Sequence, residues 1–442
     1  MNVNKTINKI LIIILCFTPF FMAPWPSDII GMPRVIFIIA ATLLMVYTWI
    51  RYEKNKTAQL KTLNLAAKLG ILYLLLIYIS TFFSVDKLNS IIGISNNRES
   101  VILQTCYVLI FLFSMEYLNF DKKKINLFIL SGVIMSIISV LQFFKIIYFE
   151  SYSFPWGNFA SPYGTLNNPN YLGAYITLIL PISIYMYFSE KKSMYYFSSC
   201  LIFTVALMSR TRGAWMGISV TFIILIMYFI KDKAHRRKIE VLVISFAFIA
   251  FALNLLMSGI LISRAVSIVF DFKDVTAPEG PAGTPGLDDA AGSYRMFIWK
   301  RVIETLPKHP LFGVGVGNLR YIFETYYTNE LLAIQDQGIS TFQRAHNEFI
   351  HIAGTTGIPS LIAYVLMLCS VIKTSFMKIR SNPISIALTV SVIGYVIQSF
   401  FSNNVVYHSY MFWVILGAAI YKGTTAEKLE TEKNTDDDES IA

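Results

Sequence analysis

Charge is what this sequence has least of. Only 14% of its 442 residues are Asp, Glu, Lys or Arg, against about 25% in soluble domains. With 55% hydrophobic residues and a mean hydropathy of +0.56, no water-soluble surface can be built at any domain count. A cytosolic enzyme, a secreted enzyme and a nucleic-acid binder are excluded together. Cysteine is scarce as well. Cys16, Cys106, Cys200 and Cys369 all fall in apolar segments, so no extracytoplasmic disulfide is expected and they read as small buried hydrophobes. There is no HExxH, no CxxC pair and no paired-carboxylate arrangement suited to a metal, so neither metal nor cofactor is expected. Lys145 stands nearly alone as an ionisable group inside an apolar segment, which counts against a proton-coupled pump or an ion channel. No internal repeat of the transporter kind is visible. The first apolar stretch has Pro19, Phe20 and Phe21 where a signal peptide would have a small-residue cleavage site, so it reads as a membrane segment.

What is present is a series of apolar runs. A helix needs about 20 apolar residues to cross roughly 30 Å of hydrocarbon. Twelve segments fit, at 9–24, 34–50, 65–84, 101–118, 125–148, 170–189, 194–209, 213–230, 241–262, 356–373, 384–402 and 404–421. The expected fold is therefore an all-α polytopic membrane protein with about 12 transmembrane helices. Helices 1 to 9 lie in 1–262, one large loop with amphipathic helices fills 263–357, and helices 10 to 12 occupy 358–421. An acidic tail over 422–442 is expected to be disordered. The last two spans, separated only by residues 402–404, read as a tight hairpin. Of the 37 basic residues, 23 fall on the side of the termini and 13 on the other, while the acidic residues divide 13 to 14. By the positive-inside rule both termini are cytoplasmic and the large loop is extracytoplasmic. The net charge of +10 thus encodes topology, and no nucleic-acid partner is needed to explain it.

Long loops are where function concentrates. The loop's first part, DVTAPEGPAGTPGLDDAAG, reads as flexible. Residues 294–306 carry apolar residues at helical spacing, PLFGVGVGN makes a turn, and a second amphipathic helix is expected over 319–328. GVGVGN lacks the Lys-Ser/Thr of a phosphate loop, so its glycines serve a turn. Arg210 and Arg212 stand in SRTRGAW, on the side that the positive-inside rule depletes. They either anchor lipid headgroups, with Trp215 as an interfacial aromatic, or bind phosphate, which the guanidinium fork suits. Arg295 is either a solvated helix residue or a further phosphate ligand. His346 is either unremarkable or a base at neutral pH. Arg344 and Asn347 beside it, and Arg320 on the second loop helix, are further candidates for substrate contact. His351, five residues on and off the same helical face, reads as structural, as do His235 and His309.

No ATP exists outside the membrane, so a substrate must arrive activated. A lipid pyrophosphate carrying a glycan meets that need. Arginines would offset the charge developing on the leaving group, and a histidine could deprotonate an acceptor hydroxyl.

YGTLNNPNYLGAYITLILP, SRTRGAW, SYRMFIWKRVIETLPKHPLFGVGVGN and AHNEFIHIAGTTGIPSLIAY together cover roughly residues 160–372. In this order, on twelve spans with a large loop between the ninth and tenth, they resemble the bacterial O-antigen ligase and O-antigen polymerase family. The resemblance implies a multi-pass glycosyltransferase of the bacterial cytoplasmic membrane, of the polyprenyl-phosphate-sugar type. Such an enzyme moves glycan from undecaprenyl pyrophosphate to a glycan or lipid acceptor without metal. It also implies residue roles: Arg212 (with Arg210 as the alternative) and Arg295 bind pyrophosphate, and His346 activates the acceptor. A glutamate common in the family is replaced here by Thr356. A chain-length regulator is a possible partner. An Ile-, Lys- and Asn-rich composition suggests an AT-rich genome. In a source without an outer membrane a lipid A core ligase has no acceptor, which favours a polymerase, with an O-antigen ligase or a protein O-oligosaccharyltransferase as the alternatives. The rival from another class is a flippase or exporter of lipid-linked oligosaccharide.

Overall fold

A computed structural model describes residues 2–24, 28–54, 56–93, 98–147, 161–273, 294–334 and 341–423. The Gly- and Pro-rich part of the loop and most of the acidic tail lie outside these residues. Among the described residues all regular structure is helical. The chain runs through α1 (Val3–Cys16), α2 (Gly31–Tyr52), α3 (Lys56–Lys61), α4 (Leu65–Phe82), α5 (Lys87–Ile92), α6 (Val101–Tyr117) and α7 (Lys122–Phe143). Then come α8 (Pro169–Ser189), α9 (Met194–Met208), α10 (Arg212–Phe229), α11 (Lys233–Leu256) and α12 (Ile260–Lys273). The loop carries α13 (Arg295–Thr305), α14 (Arg320–Tyr326), α15 (Thr328–Ile334) and α16 (Glu348–Thr356). The chain returns through α17 (Ile358–Met377), α18 (Ser385–Ser399) and α19 (Ser409–Ala418).

Eight of these helices are long and apolar enough to cross a membrane: α1 with the 3₁₀ turn that follows it, α2, α4, α7, α8, α10, α11 and α17. Four shorter apolar helices, α6, α9, α18 and α19, stand at the remaining expected positions. At a rise of 1.5 Å per residue, the ten residues of α19 make only about 15 Å of helix. All ten are buried, so protein surrounds the helix ends and can satisfy their backbone groups.

The core gathers around α8 and α19. Trp413 of α19 is fully buried, stacked on Tyr73 and Tyr107 at 6.4 Å each. Helix α8 is buried along most of its length and packs on α9, α10 and α18. Small residues permit that closeness. A Cβ at Gly217 of α10 would meet the carbonyl oxygen of Gly394 of α18 at 2.5 Å, so the two backbones cross without side chains between them.

Two expected boundaries are corrected. The segment between α18 and α19 runs over 400–408 and is not a hairpin of three residues. Apolar Phe400, Phe401, Val405 and Val406 hide this break from a hydropathy reading. Entry to the tenth span is also interrupted: α16 stops at Thr356 and α17 begins at Ile358, with Gly357 between them at φ 91°.

Candidate functional site

Seven described non-glycine residues have positive φ, and four lie in the motif segments: Asn167 (68°), Arg210 (53°), Tyr294 (58°) and His346 (52°). The left-handed region costs an L-residue about 1–2 kcal/mol. Such strain persists where packing over-determines it, and it clusters at functional sites.

Each strained residue stands at or just before a helix start, and these starts are tied together. Asn168 caps α8, its side chain accepting from the Asn170 N–H at 2.8 Å. The Thr211 hydroxyl, between Arg210 and Arg212, donates to the Pro169 carbonyl at 3.1 Å. That bond holds the head of α10 on the first turn of α8. Two residues along α8, the Tyr171 hydroxyl accepts from Nη1 of Arg344. Tyr171 stacks on Tyr407 at 5.1 Å and 12°, and Nδ2 of Asn167 donates to the Tyr407 hydroxyl at 3.3 Å. From the loop, Trp299 Nε1 donates to the Ala345 carbonyl at 2.7 Å, which fixes α13 against the residue preceding His346. Helix N-termini carry partial positive charge and favour anions.

Burial and charge act together on the titratable groups here. The half-buried His346 imidazole is pushed down to about 3, first by burial and then by the charges of Arg295 and Arg344 and by His351. It is therefore neutral at physiological pH. Arg210, by burial and by neighbouring Arg264, is also pushed down. Glu348, the first residue of α16 and 1% exposed, is pushed up to about 7 by burial. Its Oε1 accepts from the Tyr364 hydroxyl at 2.6 Å and from Asn404 Nδ2 at 3.3 Å. His351 Nε2 lies 2.8 Å from Oε2 of Glu99. Glu99, Glu348, His351 and Asn404 line one small pocket with Gln104, Tyr73 and apolar neighbours such as Ile77 and Val316.

The glycine turn is the structural device it was expected to be. Gly315 has φ 99°, and a Cβ there would run into the Ser84 hydroxyl at the end of α4. The Val316 carbonyl accepts from Ser90 at 2.8 Å, and Asn318 Nδ2 donates to Ser84 at 2.7 Å and Ser90 at 3.0 Å. On the other side the Gly315 N–H donates to the Thr355 carbonyl at 2.7 Å. The turn thus seats α16 on α4 and α5.

Residues 197–365 match the family described as O-antigen ligase. This segment is similar to the O-antigen ligase family. No curated protein matches the chain.

The O-antigen ligase segment contains all seven candidate site residues. The structure brings Arg295, Arg344 and His346 into one electrostatic group and joins the Arg210–Arg212 turn to the same end of α8. Arg212 begins α10. Asn347 caps α16, its Oδ1 accepting from Phe349 and Ile350 at 3.0 and 3.1 Å. Arg320 is held by the Tyr321 hydroxyl at 3.2 Å and lies 4.0 Å from Asp86, beside α5. The sequence reading missed Glu99, Glu348, Tyr171 and Tyr407. His351, read as structural, is paired with Glu99, and His346 stands outside the helix with φ 52°.

Proposed function

We propose that this chain is a glycosyltransferase of the bacterial cytoplasmic membrane, with both termini cytoplasmic and the large loop outside. It moves glycan from undecaprenyl pyrophosphate to an acceptor hydroxyl. The observation that carries this reading is the gathering of Arg210, Arg212 and Arg344 at the first turn of α8, through the Thr211–Pro169 and Arg344–Tyr171 hydrogen bonds. Beside them His346 is kept neutral, first by burial and then by the charges of Arg295 and Arg344. Those cations are suited to an anionic ligand. Pyrophosphate bound among them offsets their part of the shift and raises the basicity of the imidazole. His346 takes the hydroxyl proton as the acceptor oxygen bonds to the anomeric carbon. The bond from that carbon to the pyrophosphate oxygen breaks, and its electron pair leaves with undecaprenyl pyrophosphate. Arg210, Arg212 and Arg295 bind that leaving group, and charge-assisted hydrogen bonds strengthen as it develops charge.

The acceptor in this reading is another lipid-linked repeat unit, so the product is a surface polysaccharide whose length a partner can regulate. The family's description favours the alternative, ligation of finished glycan to a different acceptor. Comparing lipid-linked and surface glycan in a deletion strain, complemented with wild type or His346→Ala, tests both. Single repeat units accumulating on the carrier, in the deletion and with His346→Ala, support a polymerase with His346 as base. Full-length chains stranded on the carrier identify a ligase. Normal glycan with His346→Ala removes the base and moves a transporter ahead.

A further inference from the structure

We propose that Arg34 is a positioning residue for the donor site: buried on α2 against Tyr407, it holds the Tyr407–Tyr171 pair that seats Arg344. The inference rests on Arg344 being one of the cations that face the lipid pyrophosphate. It extends the site to a helix outside the segment that matches the O-antigen ligase family.

Arg34 stands in the first turn of α2 and is 0% exposed. Taking a charged side chain fully out of water is costly unless an opposite charge accompanies it. Among the described residues no carboxylate bonds to it. Asp28, the nearest acidic residue along the chain, is engaged elsewhere: its carboxylate accepts from Arg98 Nε at 2.9 Å and from the Gly31 N–H at 2.6 Å. Backbone carbonyls hold the guanidinium instead. Nε donates to Phe21 at 3.2 Å, and Nη2 donates to Pro19 at 2.5 Å and to Thr165 at 2.8 Å. Nη1 is buried with no hydrogen-bond partner among the described residues.

Three carbonyl bonds would suit a neutral clasp between the turn after α1 and the segment that leads into α8. A clasp alone gives no reason for a full charge at such burial. What the charge faces is Tyr407. Cζ of Arg34 lies 5.9 Å from the centre of the Tyr407 ring, within reach of a cation–π attraction that strengthens where water is excluded. The backbone of α2 closes on the same side chain, since a Cβ at Gly31 would meet the Tyr407 hydroxyl at 2.9 Å. Asn167, two residues after Thr165, donates to that hydroxyl at 3.3 Å. Arg34 thus grips both Tyr407 and the segment that bonds it.

Tyr407 passes the constraint on by contact. Its ring stacks on Tyr171, and the Tyr171 hydroxyl accepts from Nη1 of Arg344. Every step from Arg34 to Arg344 is therefore a ring contact or a hydrogen bond. The fork of Arg344 serves a pyrophosphate when its N–H groups point at the phosphate oxygens. Loosening Tyr407 lets Tyr171 turn and leaves that fork undirected. A freed arginine keeps its charge, but ordering it on the donor then costs affinity.

The test titrates the purified full chain with undecaprenyl pyrophosphate. Arg34→Gln keeps a donor for the carbonyls and removes the charge. It is expected to weaken binding about tenfold, and Arg34→Lys, which restores the charge, to recover part of the loss. The deciding background is Arg344→Gln. There Arg34→Gln should add little further weakening, because residues joined through one chain of contacts are not additive. A role in the fold alone would weaken binding by the same factor in both backgrounds, and that result overturns the proposal. Wild-type binding by Arg34→Gln overturns it too. Should Arg34→Gln not fold, Tyr407→Leu cuts the same chain and must show the same dependence on Arg344; independence overturns the proposal. Normal lipid binding by Arg344→Gln itself means that the donor reading of Arg344 has failed, and the positioning role with it. The base reading is judged apart, by transfer in His346→Ala, on which these binding measurements do not depend.

Discussion

At the scale of single residues, the site is a balance between guanidinium charge and one imidazole. Arg295 acts on His346 through charge and, in the proposed function, on a donor through geometry, and the two roles separate by substitution. Arg295→Lys keeps the cation but loses the planar fork. Affinity for undecaprenyl pyrophosphate should fall by about 1.5–3 kcal/mol, the worth of a hydrogen bond to a charged group, while His346 stays neutral. Arg295→Gln removes the cation, so His346 should titrate at higher pH, followed by NMR of labelled histidine. An unmoved His346 resonance in Arg295→Gln would separate the two groups. The arginines and His346 were legible in the sequence because their chemistry is rare beside turns in so apolar a chain. Glu99 and Glu348 were not. Their meaning comes from burial and from meeting across the bundle, and nothing local in GISNNRES or HNEF displays either.

At the scale of elements, the loop helices behave as positioning parts. Helix α13 was expected over 294–306 and is found at Arg295–Thr305, because apolar spacing and the Pro307 stop are both local signals. What the sequence could not display is the bond from Trp299 to the Ala345 carbonyl. Trp299→Phe keeps the aromatic body and deletes that bond. We expect transfer to slow about tenfold with little change in melting temperature, the bond itself being worth about 1 kcal/mol. Equal losses of rate and stability would make Trp299 a packing residue only. Gly315→Val places a branched side chain at φ 99° against Ser84. Strain and clash should cost about 1–3 kcal/mol each, lowering the thermal midpoint measured in detergent. The hairpin at 402–404 failed as an expectation for a physical reason. Hydropathy reports where a segment can lie but not whether its backbone is helical, and 400–408 is apolar without being regular.

At the scale of the whole molecule, buried Glu348 and half-buried His346 shape the pH range of stability from opposite sides. Glu348 is raised to about 7, so the folded protein holds its proton more tightly than the unfolded chain does. That contribution is complete below the unfolded value of about 4.3 and is lost as pH rises through 7. His346 is lowered to about 3. Its contribution is present above the unfolded value of about 6.5 and is lost as pH falls toward 3. The melting temperature of the full chain should therefore decline on both sides. Glu348→Gln should flatten the alkaline limb and His346→Gln the acidic one, each leaving the other unchanged. Unaltered limbs in both variants would assign the pH dependence elsewhere. The span positions were the most legible feature at this scale, since apolar length is a sum over local composition. How many segments cross is less so, because α19 is buried by its neighbours along a helix only ten residues long.

The placement of Asn404, Tyr407 and His408 between α18 and α19 has a consequence for synthesis. The chain is made from its N-terminus, and Glu99 waits more than three hundred residues for Asn404, which lines the same pocket. A nascent protein inserted as far as α17 already carries every arginine and histidine in the O-antigen ligase segment. It still lacks Tyr407, whose ring stacks on the Tyr171 that holds Arg344. On the proposed function, the Tyr171–Arg344 contact gains its aromatic support only when α18, α19 and the segment between them are in place. A chain stalled before them is expected to be inactive.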